Sequence, residues 1–191
     1  SGTLNSIRGT VTVNMGAGSS DTLVFDDSSE TAASSATITN NSVRGLDLAG
    51  TGVTYTGTER LDVFTGDGID TVNVQSVHSN TVTLVNTGPG NDILEVSNAS
   101  KTVDDIDNQL IVQMDLGSDE LIINDNGENT DSTATITAAT VLGLDLHAAG
   151  ISYLGTETLH VESGEGHDLV TVSLKCGISC GKFSGGECPA A

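Results

Sequence analysis

Ala36-Thr-Ile-Thr-Asn-Asn-Ser-Val-Arg-Gly-Leu-Asp-Leu-Ala-Gly-Thr-Gly-Val-Thr-Tyr55 returns as Ala134-Thr-Ile-Thr-Ala-Ala-Thr-Val-Leu-Gly-Leu-Asp-Leu-His-Ala-Ala-Gly-Ile-Ser-Tyr153, at an offset of 98 residues. The same offset carries Gly57-Thr-Glu-Arg-Leu-Asp-Val63 onto Gly155-Thr-Glu-Thr-Leu-His-Val161, and Gly66-Asp-Gly-Ile-Asp70 onto Gly164-Glu-Gly-His-Asp168. Self-similarity at one fixed spacing marks a stacked architecture, in which each unit buries its apolar face against the next. Two long repeats are present, and the second breaks off near Leu174.

A shorter step lies within the long one. A Gly-rich turn ending in Asp occurs at Gly16 to Asp21, Gly66 to Asp70, Gly88 to Asp92, Gly117 to Asp119 and Gly164 to Asp168. The weaker Gly45-Leu-Asp47 and Gly143-Leu-Asp145 fill the gaps, so Asp recurs every 22 to 27 residues. That is about one coil of a parallel β-helix, and 98 residues then make four coils.

The segments between the turns alternate apolar residues with Thr, Asn or Asp, the period of a half-buried strand. Val11/Val13, Leu23/Phe25, Leu61/Val63, Val72/Val74, Val82/Leu84, Leu94/Val96, Ile111/Gln113, Leu121/Ile123 and Val170/Val172 carry the pattern. Val103 to Leu110 comes nearest to helical spacing and reads as a loop or single turn. The expected fold is all-β, a parallel β-helix (β-solenoid) of about seven coils over residues 1–174. At about 4.8 Å per strand it forms a rod roughly 35 Å long, with raw β edges at its ends.

Composition narrows the function. The 191 residues carry 26 acidic against 6 basic side chains, a formal charge of −20. Nucleic acid selects for a basic face and anionic membrane for basic clusters, so neither partner is expected. No run of 18 apolar residues offers a membrane span. Acidic, aromatic-poor chains are often disordered, but 36% apolar residues in β-branched alternation point to a folded domain. The opening residues lack a signal-peptide pattern and an initiator Met, as in a processed product or an excised piece.

Residues 175–191 form a separate module. Cys176, Cys180 and Cys188 fall within 13 residues, after 175 residues with none. Disulfides of an extracellular, EGF-like module are the first reading, and the odd count calls for a partner beyond the fragment. Zinc is the competing reading, with no fourth ligand at suitable spacing.

Gly66-Asp-Gly-Ile-Asp-Thr-Val-Asn-Val74, Gly88-Pro-Gly-Asn-Asp-Ile-Leu-Glu-Val96 and Gly164-Glu-Gly-His-Asp-Leu-Val-Thr-Val172 resemble the haemolysin-type (RTX) calcium-binding repeat GGxGxDxUx. The long repeat is similar to those of very large bacterial surface proteins. Over residues 9–174 the resemblance implies an extracellular β-solenoid. Two departures matter. The motifs come singly instead of every nine residues, and Thr65, Thr87 and Ser163 replace the leading Gly.

Calcium chemistry supports the same turns, since the ion takes carboxylate and carbonyl oxygens from irregular loops. Asp70 and Asp92 stacked on successive coils would stand about 5 Å apart, repelling by about 0.8 kcal/mol in bulk water and several-fold more near a surface. The expected ligands are Asp21, Asp70, Asp92, Asp119 and Asp168. The alternative is that these Asp residues are turn formers accepting backbone N–H groups. Asp47 and Asp145 are read as structural.

His78, His147, His160 and His167 follow no ligand spacing. Glu59 and Glu157, and likewise Tyr55 and Tyr153, are duplicated by the repeat and read as architectural. Asn40 and Asn98 head N-glycosylation sequons. No catalytic constellation emerges, so the chain is expected to be non-enzymatic. The expectation is a structural or adhesive module of a large extracellular or filament-forming surface protein, stacking with neighbouring repeats or identical subunits. Surface glycans are a further expected partner. The alternatives are a calcium-binding accessory module of a polysaccharide-active enzyme, or an ice-binding solenoid built on Thr-x-Thr units such as Thr10-Val-Thr12, Thr37-Ile-Thr39 and Thr81-Val-Thr83.

Overall fold

Short runs of β-branched residues between Gly-rich turns become strands, and a computed structural model describes them over residues 2–48 and 52–173. Among the described residues there is no helix. The first strands are β1 (Val11–Asn14), β2 (Thr22–Asp26), β3 (Ser35–Thr39), β4 (Ser42–Gly45) and β5 (Val53–Thr56). Next come β6 (Arg60–Phe64), β7 (Thr71–Val74), β8 (Val82–Asn86), β9 (Ile93–Val96), β10 (Leu110–Gln113) and β11 (Glu120–Asn124). The last are β12 (Thr133–Thr137), β13 (Thr140–Gly143), β14 (Ile151–Leu154), β15 (Thr158–Glu162) and β16 (Leu169–Ser173).

They form two mixed sheets of eight strands. The first runs β1-β5-β4-β3-β7-β9-β11-β15 and the second β2-β6-β8-β10-β14-β13-β12-β16. From β5 to β12, and again from β14 to β16, the chain passes from one sheet to the other at each connection, and these strands pair in parallel with their counterparts from the neighbouring crossings. Thr71 faces Ile93, for example, and Ile93 faces Glu120.

Two features depart from the sequence expectation. The quoted stretch Ala36–Tyr55 is an antiparallel meander, β3-β4-β5, and its copy is β12-β13-β14. Only Asn40 and Asn41 separate β3 from β4, too few for a parallel crossover, which takes a dozen residues or more. The turn is clasped by Thr39 and Ser42 hydroxyls 2.7 Å apart, and its copy by Thr137 and Thr140 at the same distance. Tyr55 and Tyr153 reach back to donate to the Thr39 and Thr137 carbonyls, each across 2.6 Å.

The offset of 98 also fails to return a strand to its own sheet. β3 and β12 are copies, yet they lie in the first and second sheets respectively. The long repeat therefore spans an odd number of crossings, not four whole coils.

β4 leaves the sheet through Gly45, Leu46 and Asp47, all in the left-handed region with φ of 83°, 51° and 56°. Gly143, Leu144 and Asp145 repeat the turn at 90°, 53° and 57°. A Cβ at Gly45 would overlap the Ser35 carbonyl oxygen, so glycine is required there. Leu46 and Leu144, both buried, anchor the strained turns in the core.

The core fills the space between the sheets with Leu, Ile and Val, among them Ile38, Leu61, Leu94, Leu121 and Ile123. In β10 the inward residues are Leu110 and Val112, the opposite parity from the Ile111/Gln113 expectation. In β8 Thr83 and Val85 point inward and Leu84, although buried, lies on the other face, where Val82/Leu84 was expected to be inward. Both strands hold consecutive apolar residues, which leave parity open until neighbouring strands fix the register. The segment Val103 to Leu110, expected to be a loop or single turn, is a loop up to Gln109, with Leu110 opening β10, and it is held by the buried Val103 and Ile106 and a bridge from Ile106 to Val77.

Candidate functional site

Three of the five expected metal ligands stack on neighbouring strands. Asp70, Asp92 and Asp119 precede β7, β9 and β11, and all three are buried. Their carboxylates are engaged by the chain. Asp70 Oδ1 accepts the Ser34 N–H at 2.8 Å, Asp92 Oδ1 that of Asp70 at 2.8 Å, and Asp119 Oδ1 that of Asp92 at 2.9 Å. Glu157 Oε2 ends the series by accepting the Asp119 N–H at 2.9 Å. Each carbonyl along the way receives the next strand's first N–H, so every rung is tied twice to its neighbour.

The remaining two ligands lie in the second sheet. The Asp21 N–H donates to Glu59 Oε2 at 2.8 Å, repeating Asp119 and Glu157. Asp168 Oδ1 accepts the Ser132 N–H at 3.0 Å, repeating Asp70 and Ser34. Asp21 and Asp168 therefore stand apart from the other three. Asp47 is not a rung, because β4 is an antiparallel insert.

The departure from the RTX pattern has a structural role. The Thr65 hydroxyl, standing where that pattern has Gly, bonds Asp70 Oδ2. Ser163 helps hold Asp168 below the usual carboxylate range, after the stronger effect of the Ser132 N–H. Burial pushes Asp92 and Asp119 up, partly opposed by the N–H groups they accept. This arrangement matches the turn-forming alternative: the carboxylates replace absent backbone acceptors at the sheet margin.

Asn40 is exposed at the tip of the first meander. Asn98 is half-buried, and its Nδ2, the atom a glycan would modify, donates to Thr102 and Asp105 at 2.8 Å each. Cys176, Cys180 and Cys188 lie outside the described residues. A cavity of about 300 Å³ beside the first meander is lined by Asn41, Tyr55, Glu59, His78 and Asn80, among others. Glu59 there holds the Asp21 N–H and His78 Nδ1 accepts the Asn80 N–H.

A second acidic corner was not singled out from the sequence. Asp104, Glu128 and Asp145 bring carboxylate oxygens within 4.8 Å of one another, close enough to share one metal ion. Beside them Asp125 is fully buried; its Oδ1 accepts the Val103 N–H at 3.2 Å and its Oδ2 has no partner. Its pKa is raised to about 6, chiefly by burial, with the charges of Asp104, Glu128 and Asp145 adding to the rise and the Val103 N–H opposing it. The available signal was the repeat itself, since Asp27 and Glu30 precede Asp125 and Glu128 by 98 residues.

No protein-family model matches the chain, and neither a curated protein nor a solved structure matches it.

Proposed function

We propose that the chain is a β-solenoid segment acting as a non-enzymatic structural or adhesive module of a large extracellular or filament-forming surface protein. One observation carries this reading. Val170 and Val172 of β16 are 42% and 52% exposed, whereas their copies Val72 and Val74 in β7 are fully buried. In the first repeat the chain continues into β8 and β9, which extend both sheets beyond β6 and β7. Among the described residues the core is open at β16, and Ile136, Leu159 and Val161 line the same opening.

The occupant we assign is the β1/β2 end of a second copy. β1 and β2 are the opposite margins of the two sheets from β15 and β16, so head-to-tail contact continues the strand order and yields filaments. A formal charge of −20 opposes contact along the sides, leaving the apolar end as the favoured surface. At the Gly-x-Gly-x-Asp corners one oxygen of Asp70, Asp92 and Asp119 already accepts a backbone N–H and ties neighbouring strands. The ladder itself therefore supplies stiffness in this reading. Ice binding is disfavoured, because the Thr-x-Thr units are divided between the sheets and Thr81 and Thr83 are buried.

Sedimentation velocity over a concentration series, with electron micrographs, tests the reading. Concentration-dependent rods abolished by Val172→Asp are expected. A wild-type chain that stays monomeric throughout would sink it.

A further inference from the structure

We propose that Asp104, Glu128 and Asp145 bind one hard divalent cation of calcium's size, with the buried Asp125 carboxylate behind them. The site is separate from the corner ladder and does not depend on end-to-end assembly.

The two repeats supply an internal comparison. The Leu4 N–H donates to Asp27 Oδ1 at 2.7 Å, as the Val103 N–H does to Asp125 Oδ1. Ile7 donates to the Leu4 carbonyl, and Ile106 to that of Val103, both at 3.0 Å. Leu4 thus corresponds to Val103, and Asn5 to Asp104. Glu30 and Glu128 are matched too, each accepting two backbone N–H groups of its own turn with Oε1.

The copies differ at one contact. Asn5 Nδ2 donates to Glu30 Oε2 at 2.8 Å, so the first corner satisfies its glutamate with an amide donor. The second corner places the Asp104 carboxylate there, which has no proton to give, and together with Glu128 and Asp145, the copy of Asp47, it makes three carboxylates within 4.8 Å. The nearby cation Lys101 is bound to Glu95 at 2.7 Å. The same three charges act on Asp125, whose Oδ2 is buried without a partner. Asp27 shares that buried oxygen, but Asn5 stands where its corner would need the third carboxylate.

The donor set fixes the class of ion. All the ligand atoms are carboxylate oxygens, with no imidazole or thiolate, which selects a hard cation. Two oxygens on one ion at about 2.4 Å lie at most about 4.8 Å apart, so these carboxylates can close on calcium with little movement. The ligands come from three segments: the loop before β10, the turn after β11 and the left-handed turn after β13. One ion would bind all three together.

Calorimetric titration of the full chain with calcium chloride, after removal of metal by EDTA, tests the site. One ion per chain is expected, with a Kd on the order of 0.1–1 mM as for exposed extracellular sites. Asp104→Asn should weaken binding at least about tenfold, because affinity follows ligand charge. In EDTA it should also melt above the wild type, having gained the amide contact of the first corner. Asp70→Asn should leave calcium affinity unchanged. No uptake at about 10 mM calcium, or equal affinity in Asp104→Asn, would overturn the proposal. Loss of binding in Asp70→Asn alone would overturn it as well, by moving the ion to the ladder. A chain that stays monomeric yet binds calcium in this pattern would keep the site and reject the filament.

Discussion

Asp92 accepts the backbone N–H of Asp70 across 2.8 Å, while its own N–H is taken by Asp119 across 2.9 Å. A side chain here performs a backbone task at the margin of a parallel sheet, and both partners are buried. Asp92→Ala strands the Asp70 N–H away from water and should cost about 2–4 kcal/mol. Asp92→Asn keeps an acceptor oxygen and should cost less than half as much. Urea denaturation in EDTA measures both. A loss that appears only when calcium is present would assign the carboxylate to metal instead.

Asp125 sets a pH dependence. Its pKa is about 6 in the folded chain, above the ordinary carboxylate value that holds after unfolding. The folded state therefore binds the proton more tightly, and this stabilisation is complete only below about pH 4. As pH rises through about 6 it is lost, to the extent of roughly 2–3 kcal/mol. Asp125→Asn keeps the acceptor for Val103 and does not titrate. In EDTA, its stability relative to wild type should rise between about pH 4 and pH 6. Parallel pH profiles for the two proteins would refute the assignment.

The tyrosines fasten the meanders. Tyr55→Phe and Tyr153→Phe each leave one carbonyl, of Thr39 or Thr137, without its phenol donor. Each should cost about 1 kcal/mol. The two sit in different sheets and share no partner, so the double variant should show the sum. Thermal or urea unfolding of the four proteins provides the comparison.

Two glycines separate backbone strain from steric overlap. Gly16 has a φ of 86° and open space where a Cβ would go, so Gly16→Ala should cost only about 1–2 kcal/mol. Gly143 has a φ of 90°, and its Cβ would also overlap the Thr133 carbonyl oxygen. Gly143→Ala should be markedly worse, and soluble yield with urea midpoints would rank them.

The sequence reading was strongest where a pattern had one physical meaning. Leu61/Val63 and Val72/Val74 alternate cleanly with Asp62 and Asn73 between them, and both pairs are fully buried in β6 and β7. Leu110-Ile-Val112 contains no polar residue to fix parity, and the expected inward face was wrong. The reversal at Asn40-Asn41 was missed because strand pattern specifies a face and not a direction. Spacing alone counted Asp47 as marking a coil of its own, whereas strand pairing makes it part of the turn after an antiparallel strand. Glu128 and Asp104 escaped notice because 24 residues separate them, and only the packing of loop against turn brings them together.

The odd number of crossings in the repeat governs straightness. Each meander adds two strands to one sheet, roughly 10 Å of extra length at the usual strand spacing. Had both meanders entered the same sheet, ten strands would face six and the stack would arc toward its shorter side. Because the second copy falls in the opposite sheet, each excess offsets the other and eight strands face eight. A tandem array with this repeat would bend one way and then back by the same amount. Its axis would stay straight over each pair of repeats, even though neither repeat is straight on its own.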